Sequence, residues 1–146
     1  MEKRLFLNTY INDVTMQEAV EFIEEKIALG QKSYVVAVNV DVIMQIEKDS
    51  YLKKIVDSAD LVLVDGKPLI WISKWYRKEI KAKISGSDLV PLLCQTSAKR
   101  GYRIFILGGK DGIARQAKER LEDSFPSIQI EGTYAPPYGF EEDVIE

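Results

Sequence analysis

The sequence predicts an α/β fold: a Rossmann-like, mostly parallel sheet with helices on both faces, preceded by a short N-terminal β-hairpin. Three observations carry this expectation. Tyr34–Val38 and Leu61–Val64 are short, continuous apolar runs, and Tyr102–Leu107 is a third broken only by Arg103, of the kind that parallel strands need when they are buried on both faces. The segments between them repeat apolar residues at helical spacing. Each run ends at turn residues that lead straight into the next helical segment, the alternation of βαβ units joined by right-handed crossovers. With 146 residues and no linker, repeat or low-complexity stretch, the chain is expected to form a single domain, 1–146, that buries a core unaided.

The elements follow in order. Leu5–Leu7, Asn8–Thr9 and Tyr10–Ile11 read as a hairpin or edge-strand pair. Thr15 with Glu18 three residues on is a capping box. Met16, Ala19, Val20, Ile23 and Ile27 then mark one helical face that ends at Gly30. After the Tyr34–Val38 strand, Asn39 and Asp41 are placed to cap a helix carrying Val42, Ile43 and Ile46. Asp49–Ser50 caps another, bearing Leu52, Ile55 and Val56. The buried strand Leu61–Val64 stops at Asp65–Gly66, and Pro68 starts the next helix. Ser85–Gly86–Ser87–Asp88 is a turn and cap leading into Leu89–Ser97, with Pro91 expected in the first turn. Tyr102–Leu107 closes at Gly108–Gly109, a helix runs from Asp111 to about Glu122, and Ile128–Ile130 is a fourth strand. The final Glu141–Glu146 reads as the first turn of a helix whose apolar face has barely begun, so the chain is expected to be a truncated portion of a longer protein.

Composition narrows the chemistry. No apolar run approaches the roughly 18 residues of a membrane span, and the N-terminus lacks the pattern of a secretory signal, so a cytoplasmic location is expected. A net charge of −3 argues against nucleic acid as the main partner. Cys94 is the single cysteine, which excludes an internal disulfide and a cysteine metal cluster; it reads as core. There is no histidine, so proton transfer falls to carboxylates, Lys or Tyr.

Ligands of open parallel sheets bind beyond the carboxyl ends of the strands, where helix N-termini face phosphates. Asn39, Asp65–Gly66 and Gly108–Gly109 fall there. Asn39 is either a plain helix cap or a ligand contact, and the two glycines serve either a tight turn or a phosphate. Asp65, directly after four apolar strand residues, either caps the next helix or stands as a partly desolvated base facing the crevice. Without a histidine it leads the candidates. Trp71–Lys83 mixes aromatics with a local surplus of base, reading as a core-packed helix with a solvated basic end or as a surface for phosphates or a membrane. Pro136–Phe140 is a rigid turn.

Five segments in order resemble the WecG/TagA/CpsF glycosyltransferases: Val36–Asp41, Ala59–Leu69, Ser85–Val90, Phe105–Gly109 and Gly132–Phe140. The resemblance spans nearly the whole chain. It implies transfer of a sugar, often an N-acetylmannosamine derivative, from a UDP-sugar to an undecaprenyl-diphosphate-linked acceptor in cell-wall, capsule or exopolysaccharide synthesis. It further implies Asp65 as general base, with Asn39, Gly66, Lys83, Ser87, Gly108 and Gly109 as substrate-binding residues. Lys83 stands where the family usually has Arg and offers no bidentate fork; Ala37 stands where Thr is usual and offers no hydroxyl. No cofactor and no metal are expected, consistent with the lack of an Asp-x-Asp pair. Association with the inner face of the membrane, self-association, and weak activity of this portion alone are likewise implied. Two other readings remain. One is a noncatalytic nucleotide-binding module on the same fold. The other is a phosphoacceptor receiver domain, for which Asn39–Val40–Asp41 supplies only one acid.

Overall fold

A computed structural model gives the fold of residues 1–140; the helix start expected at Glu141–Glu146 lies outside the described residues. The chain is mixed α/β and divides into two compact units at Val90/Pro91.

In the first unit, β1 (Arg4–Phe6) and β2 (Thr9–Ile11) form the expected antiparallel hairpin. Its turn is fastened outward, Asn8 donating to the Ile43 carbonyl (3.0 Å) and to Glu47 (2.7 Å). Helix α1 (Met16–Ala28) opens with the Thr15/Glu18 capping box; Thr15 holds the Glu18 carboxyl below its ordinary range by hydrogen bonding it. Ala19, Val20 and Phe22 are the buried residues of α1, so burial sits in its first two turns and Ile27, expected on the inner face, is exposed.

Strand β3 (Val35–Val38) pairs in parallel with β4 (Leu61–Val64), Val38 opposite Val64. Between them run α2 (Val40–Lys48) and α3 (Ser50–Ser58), both at the places the caps predicted. Asp49 caps α3 by accepting from Tyr51 and Leu52 N–H, each at 2.9 Å. All four β4 residues are buried, and Val62 and Val64 join Phe6, Ile11, Val38, Ile46, Val56 and Leu69 in one core. Helix α4 (Lys67–Trp75) lays Leu69 on that core. Asn12, almost wholly buried, extends the hairpin along β4: its N–H donates to Val62 O (2.9 Å) and its side chain accepts from Val62 N (2.8 Å).

The boundary between the units falls within α5 (Gly86–Arg100). This helix starts three residues before the expected Leu89, because Ser85 already accepts bonds from Asp88 and Leu89 N–H through its carbonyl. Pro91 consequently lies inside the helix rather than in its first turn, and has no N–H for the Ser87 carbonyl.

In the second unit, β5 (Arg103–Leu107) pairs in parallel with β6 (Gln129–Tyr134), and α6 (Ile113–Ser124) connects them. Cys94, Ile128 and Ile130 form a small core with Ile104, Ile106, Leu121 and Phe125 against it. Cys94 is core as expected, and desolvation pushes its thiol pKa up. The expectation of a fully buried third strand is corrected: β5 alternates, with Phe105 and Leu107 exposed while Ile104 and Ile106 face the small core.

The hairpin is held to α3 by a polar cluster. The Asp57 carboxylate accepts from Thr9 Oγ (2.8 Å), Lys53 Nζ (2.6 Å) and, more weakly, Tyr10 N (3.4 Å). Partial burial works to raise the Asp57 pKa, but the bonds from Lys53, Thr9 and Tyr10 outweigh it and hold it below the ordinary aspartate value. A depressed folded pKa contributes stability above the unfolded value near pH 4 and loses it as pH falls through the folded one. Asp57→Ala, which leaves the buried Thr9 hydroxyl without its acceptor, is therefore expected to cost about 1–3 kcal/mol in urea unfolding at pH 7. The difference from the parent should shrink as pH falls below about 4.

Candidate active site

The parallel pair β3–β4 ends at Val38 and Val64, and the candidate residues of the first unit gather at that end. Asp65 continues β4 by one residue, its N–H donating to Val38 O at 2.8 Å. Its carboxylate is not a helix cap. The N-cap of α4 is Gly66, with φ 107° and ψ 138°, and no side chain caps the helix; Pro68 in the first turn has no N–H to satisfy. Asp65 is half-buried, and among the described residues its carboxylate makes no hydrogen bond or ion pair. The alternative left open by the sequence, a capping aspartate, is not what this strand end holds.

Asn39 does cap its helix, Oδ1 accepting from Val42 N at 2.9 Å. Capping employs only the oxygen. The amide nitrogen is left with its two hydrogens at the exposed carboxyl end of β3.

Lys83 reaches the same end through the backbone. Ile84 N donates to Val64 O at 2.8 Å, which seats the segment 83–85 beside the last residue of β4. From there Lys83 Nζ lies 3.2 Å from Asp88 Oδ2, and the same Asp88 oxygen accepts the Ser85 hydroxyl. Ser85 Oγ, its own hydrogen given to Asp88, accepts from Ser87 Oγ at 2.9 Å. The Ser85 hydroxyl first, and then the Lys83 ammonium, hold the Asp88 carboxyl below its ordinary range. Ser87 is thus tied into this network at the first turn of α5. The roles of Ser85 and Asp88 in holding Lys83 were not anticipated, although their Ser-x-x-Asp spacing at a helix start is a readable signal.

Gly108 and Gly109 belong to the second unit, at the carboxyl end of β5. Gly108 N donates to Tyr134 O at 2.9 Å, completing the ladder with β6, and the chain turns through positive φ at both glycines. Gly109 lines an open cavity of about 480 Å³ with Asp111, Ala135 and Tyr138; an adjoining one of about 400 Å³ is lined by Gly112, Arg115, Thr133 and Tyr134. The sequence singled out Gly132–Phe140 only as a motif; Thr133 and Tyr134 lining a cavity is what the structure adds. Phe140 N closes the Pro136–Phe140 turn on Pro137 O at 3.2 Å.

Asn39, Asp65, Gly66, Lys83 and Ser87 therefore share the carboxyl end of one parallel pair, and Gly108 and Gly109 occupy the carboxyl end of another. Among the described residues, no helix is long and apolar enough to cross a membrane.

The family model for the glycosyl transferase WecG/TagA/CpsF family matches residues 4–146. Two curated relatives carry the name N-acetylglucosaminyldiphosphoundecaprenol N-acetyl-beta-D-mannosaminyltransferase. The protein from Bacillus spizizenii is 26% identical over 100 residues, covering 68% of this chain and 39% of the relative. The protein from Bacillus subtilis is 23% identical over 111 residues, covering 76% of this chain and 42% of the relative. The chain thus spans about two fifths of the length of these relatives.

Gly66 is the residue on which the placement of Asp65 turns. A Cβ added there would meet nothing nearer than Pro68 Cδ at 3.7 Å, so space is not the obstacle; a φ of 107° is, being open essentially to glycine alone. Gly66→Ala is expected to cost about 1–3 kcal/mol in thermal or urea unfolding. A neutral outcome would show that the turn relaxes readily.

Proposed function

From the premise that the chain belongs to the WecG/TagA/CpsF glycosyltransferase family, we propose that it supplies the catalytic base and part of the donor site of a hexosyltransferase. The donor is a UDP-sugar of the N-acetylmannosamine type. The acceptor is an undecaprenyl-diphosphate-linked sugar, as the names of the relatives state for those proteins. The observation that carries the reading is the uncommitted Asp65 carboxylate, half-buried at the end of β4 where capping would have been its ordinary use.

The acceptor hydroxyl oxygen bonds to the anomeric carbon while the bond from that carbon to the diphosphate oxygen breaks. Asp65 takes the hydroxyl proton, and UDP leaves with the electron pair. Attack opposite the leaving group inverts the anomeric centre. Charge growing on the diphosphate is met by the Lys83 ammonium and by the positive ends of α4 and α5, a form of stabilisation that needs no metal in this reading. Asn39, through its free amide hydrogens, hydrogen-bonds the donor. Within the second unit, the positive φ of Gly108 and Gly109 leaves the backbone at the end of β5 open to close approach by a phosphate.

In a length of the protein that supports transfer, Asp65→Asn is expected to lower kcat by roughly 10²–10⁴-fold. UDP affinity by calorimetry should stay within about twofold, since the base contacts the acceptor hydroxyl and not the nucleotide. Turnover close to that of the parent would rule Asp65 out as the base. UDP binding without transfer by the parent to any polyprenyl-diphosphate sugar would favour a noncatalytic binding module instead.

A further inference from the structure

Helix α4 is amphipathic in an unusual sense. Its inner face is ordinary, with Leu69 and Ser73 fully buried. Its outer face is not the usual mixture of charges. Lys67, Trp71, Lys74 and Trp75, spaced at i, i+4, i+7 and i+8, form one exposed stripe, with Trp71 65% and Trp75 86% accessible. Tyr76, the C-cap, is 66% accessible beside them. These two tryptophans are the only ones in the chain.

Charge around the stripe has one sign. Residues 67–83 hold six basic side chains (Lys67, Lys74, Arg77, Lys78, Lys81, Lys83) against the single acid Glu79, within a chain whose net charge is −3. Lys81 and Lys83 have acidic partners, Glu18 and Asp88; Lys67, Lys74, Arg77 and Lys78 have no ion pair among the described residues. An open cavity of about 290 Å³ beside the helix is lined by Trp71, Lys74, Lys81 and Lys83 among others.

The helix end adds an independent sign. Lys78 N donates to Ser73 O (2.9 Å) and Arg77 N to Lys74 O (3.1 Å), the paired bonds of a Schellman ending, in which the left-handed position is normally glycine. Here that position is Arg77, at φ 51°. A cationic side chain occupies a site where glycine would relieve strain.

Exposed tryptophans set among uncompensated cations match the headgroup region of an anionic bilayer, where indole rings sit at the boundary and basic residues meet lipid phosphates. We propose that the outer face of α4, with Arg77 and Lys78, docks the protein onto a membrane surface rich in anionic phospholipid. This docking does not depend on the transfer reaction proposed above.

The experiment uses vesicles of phosphatidylglycerol and phosphatidylcholine (3:7), free of any sugar acceptor, with pure phosphatidylcholine vesicles as comparison. Co-sedimentation and tryptophan emission are both recorded; because both indoles lie on the proposed face, emission reports contact there. The expected result is binding and a blue shift with the anionic vesicles, weakened by salt. Lys74→Glu/Lys78→Glu should weaken binding at least tenfold, and Arg77→Gly by about fivefold while leaving Tm equal or higher. Trp75→Ser, at an exposed position, should also weaken it. Absence of any shift with anionic vesicles overturns the proposal, as do charge variants that bind like the parent. A blue shift that depends on protein concentration and not on vesicles also overturns it, and would assign the face to a second copy of the chain.

Discussion

Strand β4 is the constraint on which the first unit depends. Leu61–Val64 are buried to within 2%, and a strand so enclosed must have its backbone groups met from both sides. On one side stands β3, paired in parallel along its whole length. On the other, Asn12 takes both the N–H and the carbonyl of Val62, and Ile84 takes the carbonyl of Val64. The hairpin and the segment before α5 are therefore seated by hydrogen bonding to β4 as well as by apolar packing. The Asp57 cluster then fastens the hairpin to α3, so the strand that carries Asp65 is supported by side chains far from it in sequence.

This arrangement explains why the candidate residues collect where they do. A parallel pair delivers two strand ends to one edge, and each must turn at once into a helix. At β3 the turn is capped by Asn39, which occupies its oxygen. At β4 the turn is made by Gly66 and Pro68, residues that need no cap, and so the carboxylate just before them stays unengaged. The difference between the two ends is chemical. One has its acceptor atom committed to the helix, and the other presents a free carboxylate beside a lysine-bearing segment.

Elements whose formation is decided within a few residues were legible in the sequence. The Thr15/Glu18 box, the caps at Asn39 and Asp49, and the uniformly apolar β4 each specify their own outcome locally. What was not legible depends on partners distant in the chain. The start of α5 at Gly86 follows from how the 84–85 segment is held at β4, and that start moves Pro91 into the helix interior. The exposure of Phe105 and Leu107 cannot be read from an apolar run, which looks the same whether one face of the strand is covered or both. At the site, the strand-end position of Asp65 was legible, but its freedom was not, because capping by aspartate and by glycine give the same helix start. Lys83 was marked by resemblance; that Ser85 and Asp88 hold it required the fold.

The pairing of Lys83 with Asp88 bears directly on the proposed reaction, since a lysine locked to a carboxylate would be of little use to a diphosphate. Both partners are substantially exposed, and an ion pair of this kind contributes about 0–1 kcal/mol. A diphosphate brings more negative charge and more acceptor oxygens than one carboxylate, and it does so beside the positive end of α5. Exchange of Asp88 for phosphate therefore faces only a small barrier from the pair itself. Asp88 keeps its second partner, the Ser85 hydroxyl, when the lysine turns away, so neither group is left without a bond. The pair thus orients Lys83 near the strand end, and in the proposed reaction it is weak enough to yield the lysine to the donor's diphosphate.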